Sequence, residues 1–301
     1  MELKIFSNKN STMKSNSRWK SFTRQEKVIL PIVHLFLAIM AVWVILPIVY
    51  VLINSFKTVY EFNDSPMSLP KIFNFKNYLT AFELNYRNTT VLQMFINSLI
   101  YVSTFSIANI ASSTMAAYVI AKYNFRGKGF IYTLAIIIQI IPIFGTGTAS
   151  YLLVSDLGVL DNIWLLWITA ASGFDYTFLL LHSYFRNLSS EYSEAAQIDG
   201  AGNWFIFLKI MFPMVLPAIL PLWLSAIIGL WSDYMTPMLY LQYTPTLASG
   251  IYNLKERAAF IEGGTPAYMA TLIVSIIPMI ILFLFTQKKI FSINLEGGLK
   301  G

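Results

Sequence analysis

Five stretches of this chain are long enough to cross a membrane and contain no charged side chain: Val28–Phe56, Asn88–Ala121, Gly129–Ser155, Ile210–Ser232 and Gly263–Gln287. A hydrocarbon core of about 30 Å takes about 20 apolar residues as a helix. A sixth stretch, Asn162–Phe185, is apolar except for Asp175. The expected fold class is therefore an all-α membrane protein with six transmembrane helices, at about 28–54, 91–119, 130–151, 162–185, 214–241 and 267–286. Composition argues against a soluble reading. The 301 residues are 56% hydrophobic and 12% charged, where a soluble domain carries about 25% charged residues.

The basic residues give a direction. With the N-terminus inside, segments 1–27, 121–130, 186–213 and 287–301 hold 15 of the 21 Lys and Arg, and 57–90, 151–162 and 243–265 hold 6. Positive charge concentrates on the cytoplasmic side of membrane proteins. The expectation is a multi-pass protein with both termini cytoplasmic. The net charge of +6 then needs no nucleic acid.

The domain reading follows: a polar, basic tail over 1–27, a six-span domain over 28–286 and a second tail over 287–301. The first apolar run is too long for a signal-peptide core, so an uncleaved first span is expected, with an interfacial stretch near Trp19 and Phe22. Segment 57–90 reads as an extended piece followed by a short amphipathic helix through Phe75, Tyr78, Leu79 and Phe82. Segment 242–264 reads as a loop with another short helix.

Prolines 31, 47, 142, 217, 221, 237 and 278 fall within the spans. Each removes a backbone hydrogen bond, which neighbouring helices or water can restore. Such a bundle is suited to moving or to lining a path.

Several chemistries lack their residues. The chain has no cysteine, so disulfides, thiolate metal sites and cysteine nucleophiles are out. No G-x-x-x-x-G-K-[ST] loop and no H-E-x-x-H pattern occurs. The two histidines, His34 and His182, sit in separate spans and read as packing residues. These absences speak against a self-contained enzyme or an ATP-driven pump. Energy for transport would come from a partner or an ion gradient.

One polar segment interrupts the apolar pattern: "EYSEAAQIDGAGNWFIFLKIMFP", Glu191 to Pro213. Ser189 or Ser190 can cap a short helix. Glu191 and Glu194 suit its first turns through the helix dipole. Gly200 fits a left-handed stop. Trp204–Ile210 then starts an apolar helix leading into the fifth span. Local chemistry leaves two readings open: a plain connecting loop, or a low-profile docking surface formed around Ala195 and Ala196.

The spacing is more specific. It runs Glu194-Ala195-Ala196, three residues, Gly200, nine residues, Ile210, one residue, Phe212-Pro213. This resembles the EAA loop of bacterial ABC-importer permeases, with Phe212 where that pattern has Leu. "NSLIYVSTFSIANIASSTMAAYVIAKYNFRGKGF", Asn97–Phe130, resembles the second span and following loop of carbohydrate-uptake permeases of the maltose-permease-like kind. "LHSYFRNLSSEYSEAAQIDGA" resembles their run from the fourth span into the loop. "GLWSDYMTPMLYL" resembles their fifth span, with Ser232 where Asn is usual. "EGGLKG" resembles their C-terminal end. The likeness covers the chain from about residue 28.

The resemblance implies a permease subunit of an ABC importer in the bacterial cell membrane. It would translocate a carbohydrate by alternating access. Its implied partners are a second homologous permease, usually a different chain, two cytoplasmic ATPase subunits and an extracellular solute-binding protein. This chain would bind no cofactor; ATP and Mg would be bound by the partner ATPase. An EAA-type coupling helix between spans 4 and 5, within 186–213, would receive the ATPase through Glu191, Glu194, Ala195, Ala196, Asp199 and Gly200.

Carboxylates inside a span are costly and face a cavity or a partner. Asp175 and Tyr176 in the fourth span, and Trp231, Asp233 and Tyr234 in the fifth, are candidates for the pathway. Interhelical hydrogen bonding is the open alternative for both carboxylates. Three competing functions remain at this level: an ion-coupled secondary transporter, a membrane-anchored structural or assembly factor, and a non-sugar solute in the same importer class.

Overall fold

The computed structural model describes residues 23–141 and 146–297. Most of the N-terminal tail, with Trp19 and Phe22, lies outside the described residues, as do Pro142 and residues 298–301.

Among the described residues, four helices are long and apolar enough to span a membrane. They are α1 (Arg24–Ser55), α4 (Val91–Lys122), the continuous run Asn203–Ser232 and α13 (Gly264–Gly297). Caps fix two of the starts. Thr23 and Glu26 form a capping box on α1, and Thr90 and Gln93 form one on α4. Pro31 and Pro47 lie inside α1 and Pro278 inside α13 without ending either helix.

The other two expected spans are not single helices. In place of 130–151 there are α5 (Lys128–Ile140) and α6 (Thr146–Asp156). In place of 162–185, only α7 (Tyr176–Asn187) is α-helical, preceded by a 3₁₀ turn at Leu166–Ala170 and a loop. The sequence carries the reason. Gly173 adopts φ +71°, and Asp175 accepts from the Phe178 N–H, so the helix starts there. The fifth span also shifts from 214–241. It begins with α9 (Asn203–Ile206), passes through a π-helical turn at Phe207–Met211 and continues as α10 (Phe212–Ser232). It stops at Asp233, and α11 (Met235–Tyr240) follows separately.

The polar connections hold α2 (Val59–Asp64), α3 (Lys76–Glu83), α8 (Glu191–Ile198) and α12 (Leu247–Lys255). Segment 57–90 also forms a small antiparallel hairpin, β1 (Asn85–Tyr86) with β2 (Thr89–Thr90). Its turn residues Arg87 and Asn88 both have positive φ, as a type I′ turn requires. Asn77 of α3 donates to the Ser55 and Lys57 carbonyls and so ties off the end of α1. Lys57 is fully buried, donating to the carbonyls of Ser65 and Pro66.

Helix α4 is the hub. It packs on α7, α10, α12 and the 3₁₀ turn, whereas α1 packs chiefly on α13. Two hydrophobic clusters sit along α4. One gathers Met94, Tyr101 and Phe105 with Leu166, Trp231 and Ile251. The other gathers Ile110, Ala117 and Tyr118 with Phe178, Phe185, Ile206 and Met211. Between them α4 carries Ser106 and Asn109.

Candidate functional site

The polar loop folds as a helix, a glycine turn and a second helix. At the start of α8, the Ser190 carbonyl accepts from the Ser193 and Glu194 N–H groups. Ser189 Oγ accepts from the Glu191 N–H; the Ser190 side chain makes no cap bond. At the other end, Gly200 has φ +81°. Its N–H donates to the Gln197 carbonyl, and the Ala201 N–H donates to the Ala196 carbonyl. This pair of bonds is a Schellman stop, whose left-handed residue favours glycine.

The turn stands on the bundle through two contacts. Ala196 is 9% exposed and belongs to the cluster that includes Ile206 and Phe207. The Lys122 ammonium donates to the Leu188 carbonyl, fastening the end of α4 to the loop before α8. Of the six residues expected to form one coupling surface, Glu191, Glu194, Ala195, Asp199 and Gly200 are exposed and Ala196 faces inward. Ala196 therefore seats the helix. Sequence reasoning missed Ile198, which is 86% exposed. Its signal was a large aliphatic residue just before the stop of an exposed helix. Tyr192 and Trp204 are exposed beside the turn.

A second site lies between the two hydrophobic clusters. A cavity of about 480 Å³ is lined by Phe105 and Asn109 of α4, by Asp175, Tyr176 and Thr177 where α7 begins, and by Leu222, Ser225, Gly229 and Asp233 along α10. It brings together Asp175, Tyr176 and Asp233. The two carboxylates do parallel work. Asp175 accepts from Asn109 Nδ2 and Ser113 Oγ at 2.8 Å each, and from the Phe178 N–H at 3.0 Å. Asp233 accepts from Tyr101 Oη at 2.9 Å and from the Thr236 N–H at 3.1 Å. Each marks a break in a spanning segment and accepts from an N–H in the first turn of the helix that follows.

Trp231 and Tyr234 are not brought to this cavity. Trp231 is buried edge-on against Phe95, and its Nε1 donates to the Ser275 carbonyl. Tyr234 stacks on Tyr252 with ring centroids 4.3 Å apart. Sequence reasoning missed Tyr101, Asn109 and Ser113. Asn109 and Ser113 are spaced i, i+4 on α4, so one helix face offers both donors. Such an arrangement can hold polar solutes in a pocket whose charges are already hydrogen-bonded. Among the described residues no group of His, Asp and Glu is placed to hold a metal.

Comparison with known proteins gives the family and the fold. Residues 109–291, more than half of the chain, match the family described as "Binding-protein-dependent transport system inner membrane component". The diacetylchitobiose uptake system permease protein NgcG of Streptomyces coelicolor is 29% identical over 275 residues, covering 88% of this chain and 87% of the relative. The maltodextrin transport system permease protein MdxG of Bacillus subtilis is 28% identical over 273 residues, covering 89% and 95%. A crystal structure of a bacterial ABC transporter involved in the import of the acidic polysaccharide alginate contains a chain of the same fold. It superposes with a TM-score of 0.73 at 22% identity, covering 89% of this chain and 98% of that one.

Proposed function

The chain belongs to the family of binding-protein-dependent transport system inner membrane components, and from that premise we propose that it is a transmembrane permease subunit of an ATP-driven importer for an oligosaccharide. The relatives named for sugars, the diacetylchitobiose, maltodextrin and galactooligosaccharide permeases, support the solute class.

In this reading the chain crosses the bacterial membrane six times with both termini cytoplasmic. Its third and fourth crossings are made by broken helices. The polar tails 1–27 and 287–301 flank the spanning domain. A second homologous permease, usually a different chain, completes the pathway. A solute-binding protein delivers the sugar to the outer loops 57–90 and 243–265. Of the importer's two ATPase subunits, which bind the ATP and Mg, one docks on α8; this chain hydrolyses nothing.

The observation that carries the proposal is the exposed turn Glu191–Gly200. It presents Glu194, Asp199 and the uncovered Ile198 at a helix that rests on α9 and the π-helical turn and is tied to α4 through Leu188. An apolar anchor ringed by carboxylates fits a basic-rimmed groove on a partner. Closure of the ATPase pair would push on α8. The push would reach α7 through Leu188 and α10 through the π-helical turn.

The test is uptake of labelled diacetylchitobiose, maltodextrin and galactooligosaccharide by cells carrying or lacking this chain. The expected result is ATP-dependent uptake of at least one oligosaccharide, abolished by deletion and not restored by Gly200→Asp. Uptake driven by an ion gradient with ATP depleted, or full uptake in a well-inserted Gly200→Asp variant, contradicts the reading.

A further inference from the structure

At the α8 end of the bundle, a pocket of about 260 Å³ separates α4, α5 and α7. It is lined by Lys128, Gly129, Tyr132, His182 and Arg186, with Ile120 and Ala121 behind. His182 is 6% exposed and forms no hydrogen bond with any described residue. The ring borders this pocket, so its nitrogens are free to bond a guest there. The ring packs at a 34° tilt against Tyr132, ring centroids 4.4 Å apart, which holds the imidazole in place.

Positive charge converges on the same space. Lys128 and Arg186 both lie within Coulombic reach of the His182 ring, and among the described residues neither forms an ion pair with a carboxylate. The N-terminus of α5 adds to this field. Its cap residue Gly127 offers no side-chain acceptor. The N–H groups of Gly129 and Phe130 find no acceptor among the described residues. Free N–H groups at a helix N-terminus, with the dipole behind them, favour an anion. Space remains for one: a side-chain carbon added at Gly129 would meet no atom within 4 Å.

We propose that this pocket binds a phosphate group, carried by an anionic phospholipid headgroup or free in solution. Arg186 and Lys128 supply charge, His182 supplies a directional hydrogen bond, and the start of α5 supplies backbone donors. On the proposed six-crossing reading, the pocket opens where α4 ends, α5 begins and α7 ends, the depth of a headgroup. Arg186 lies two residues before Leu188, the residue that Lys122 grips, so an occupied pocket braces the strut that carries α8.

The test uses the full chain, purified with the subunits that accompany it and placed in nanodiscs. Three arms are compared: phosphatidylcholine alone, phosphatidylcholine with phosphatidylglycerol, and phosphatidylcholine with inorganic phosphate in the buffer. The readouts are the thermal unfolding midpoint and the phospholipid retained in native mass spectrometry. We expect phosphatidylglycerol, phosphate or both to raise the midpoint, and the responding arm identifies the source. Lys128→Gln or Arg186→Gln should each raise the anion concentration needed for half the effect about five-fold. Gly129→Asp places a carboxylate in the open space while suiting the first turn of α5, so it should abolish the effect without unfolding the protein. Lys71→Gln with Lys76→Gln removes twice the charge of either single variant elsewhere and should leave the anion effect unchanged. No midpoint rise in either anion arm overturns the proposal. So does an effect that survives Gly129→Asp, or one that the Lys71/Lys76 control weakens equally.

Discussion

The turn around Gly200 and the cavity around Asp175 and Asp233 are built in opposite ways. The turn comes from one run of sequence. Its helix, its left-handed stop and its exposed anchor lie within eleven residues, Ser190 to Gly200, and only Ala196 is seated in the core. The cavity comes from three distant segments, and its carboxylates are held by donors on α4 more than sixty residues away. A surface made from local chemistry can bear a changed side chain without loosening the bundle. A polar cluster inside an apolar bundle cannot, because each removed partner leaves another group unsatisfied in low dielectric.

Variants can break or sharpen that contrast. The largest loss of stability is expected for Asp175→Ala, which removes the α7 cap and strands Asn109 and Ser113. Thermal unfolding of the detergent-purified protein should show a loss of about 3 kcal/mol; a loss below about 0.5 kcal/mol would erase the difference between the two regions. Gly200→Val comes next. A β-branched residue at φ +81° costs about 1–3 kcal/mol locally, and the displaced turn should cut uptake about ten-fold or more while inserted protein stays near wild-type. Ile198→Ala should leave the unfolding midpoint unchanged and weaken co-purification of the ATPase about ten-fold, which corresponds to about 1.4 kcal/mol of binding. Trp231→Phe keeps the contact with Phe95 and loses only the bond to Ser275. It should cost about 1 kcal/mol of stability with substrate preference unchanged, as expected of a residue that packs and does not line the cavity.

The same contrast separates what the sequence displays from what only the packed bundle reveals. The α8 turn was legible because capping residues, an acidic first turn and a glycine stop are local rules, and the spacing from Glu194 to Pro213 added a family likeness. Asp175 and Asp233 were legible as lone carboxylates in apolar surroundings. Their partners were not, since Tyr101, Asn109 and Ser113 look like ordinary members of a long apolar helix until α7 and α10 are laid against it. The fourth span misled for a related reason. Hydropathy averages over Leu166–Ala170 and Tyr176–Asn187 alike and ignores Gly173 and Asp175, whose conformations break the helix. The inward turn of Ala196 followed from where Ile206 and Phe207 pack, which a list of helix formers does not contain.

The central claim is that the α8 turn is where ATPase subunits attach. Because the chain has no cysteine, one introduced thiol gives an unambiguous crosslinking position. Ile198→Cys at the exposed tip of α8, compared with Leu69→Cys in the exposed 57–90 segment, should be treated with a short thiol-to-amine crosslinker in membranes holding the assembled importer. The account predicts a covalent adduct of the Ile198→Cys chain with the ATPase and none from Leu69→Cys. An ATPase adduct from Leu69→Cys, or none from Ile198→Cys while the complex stays intact, would contradict it.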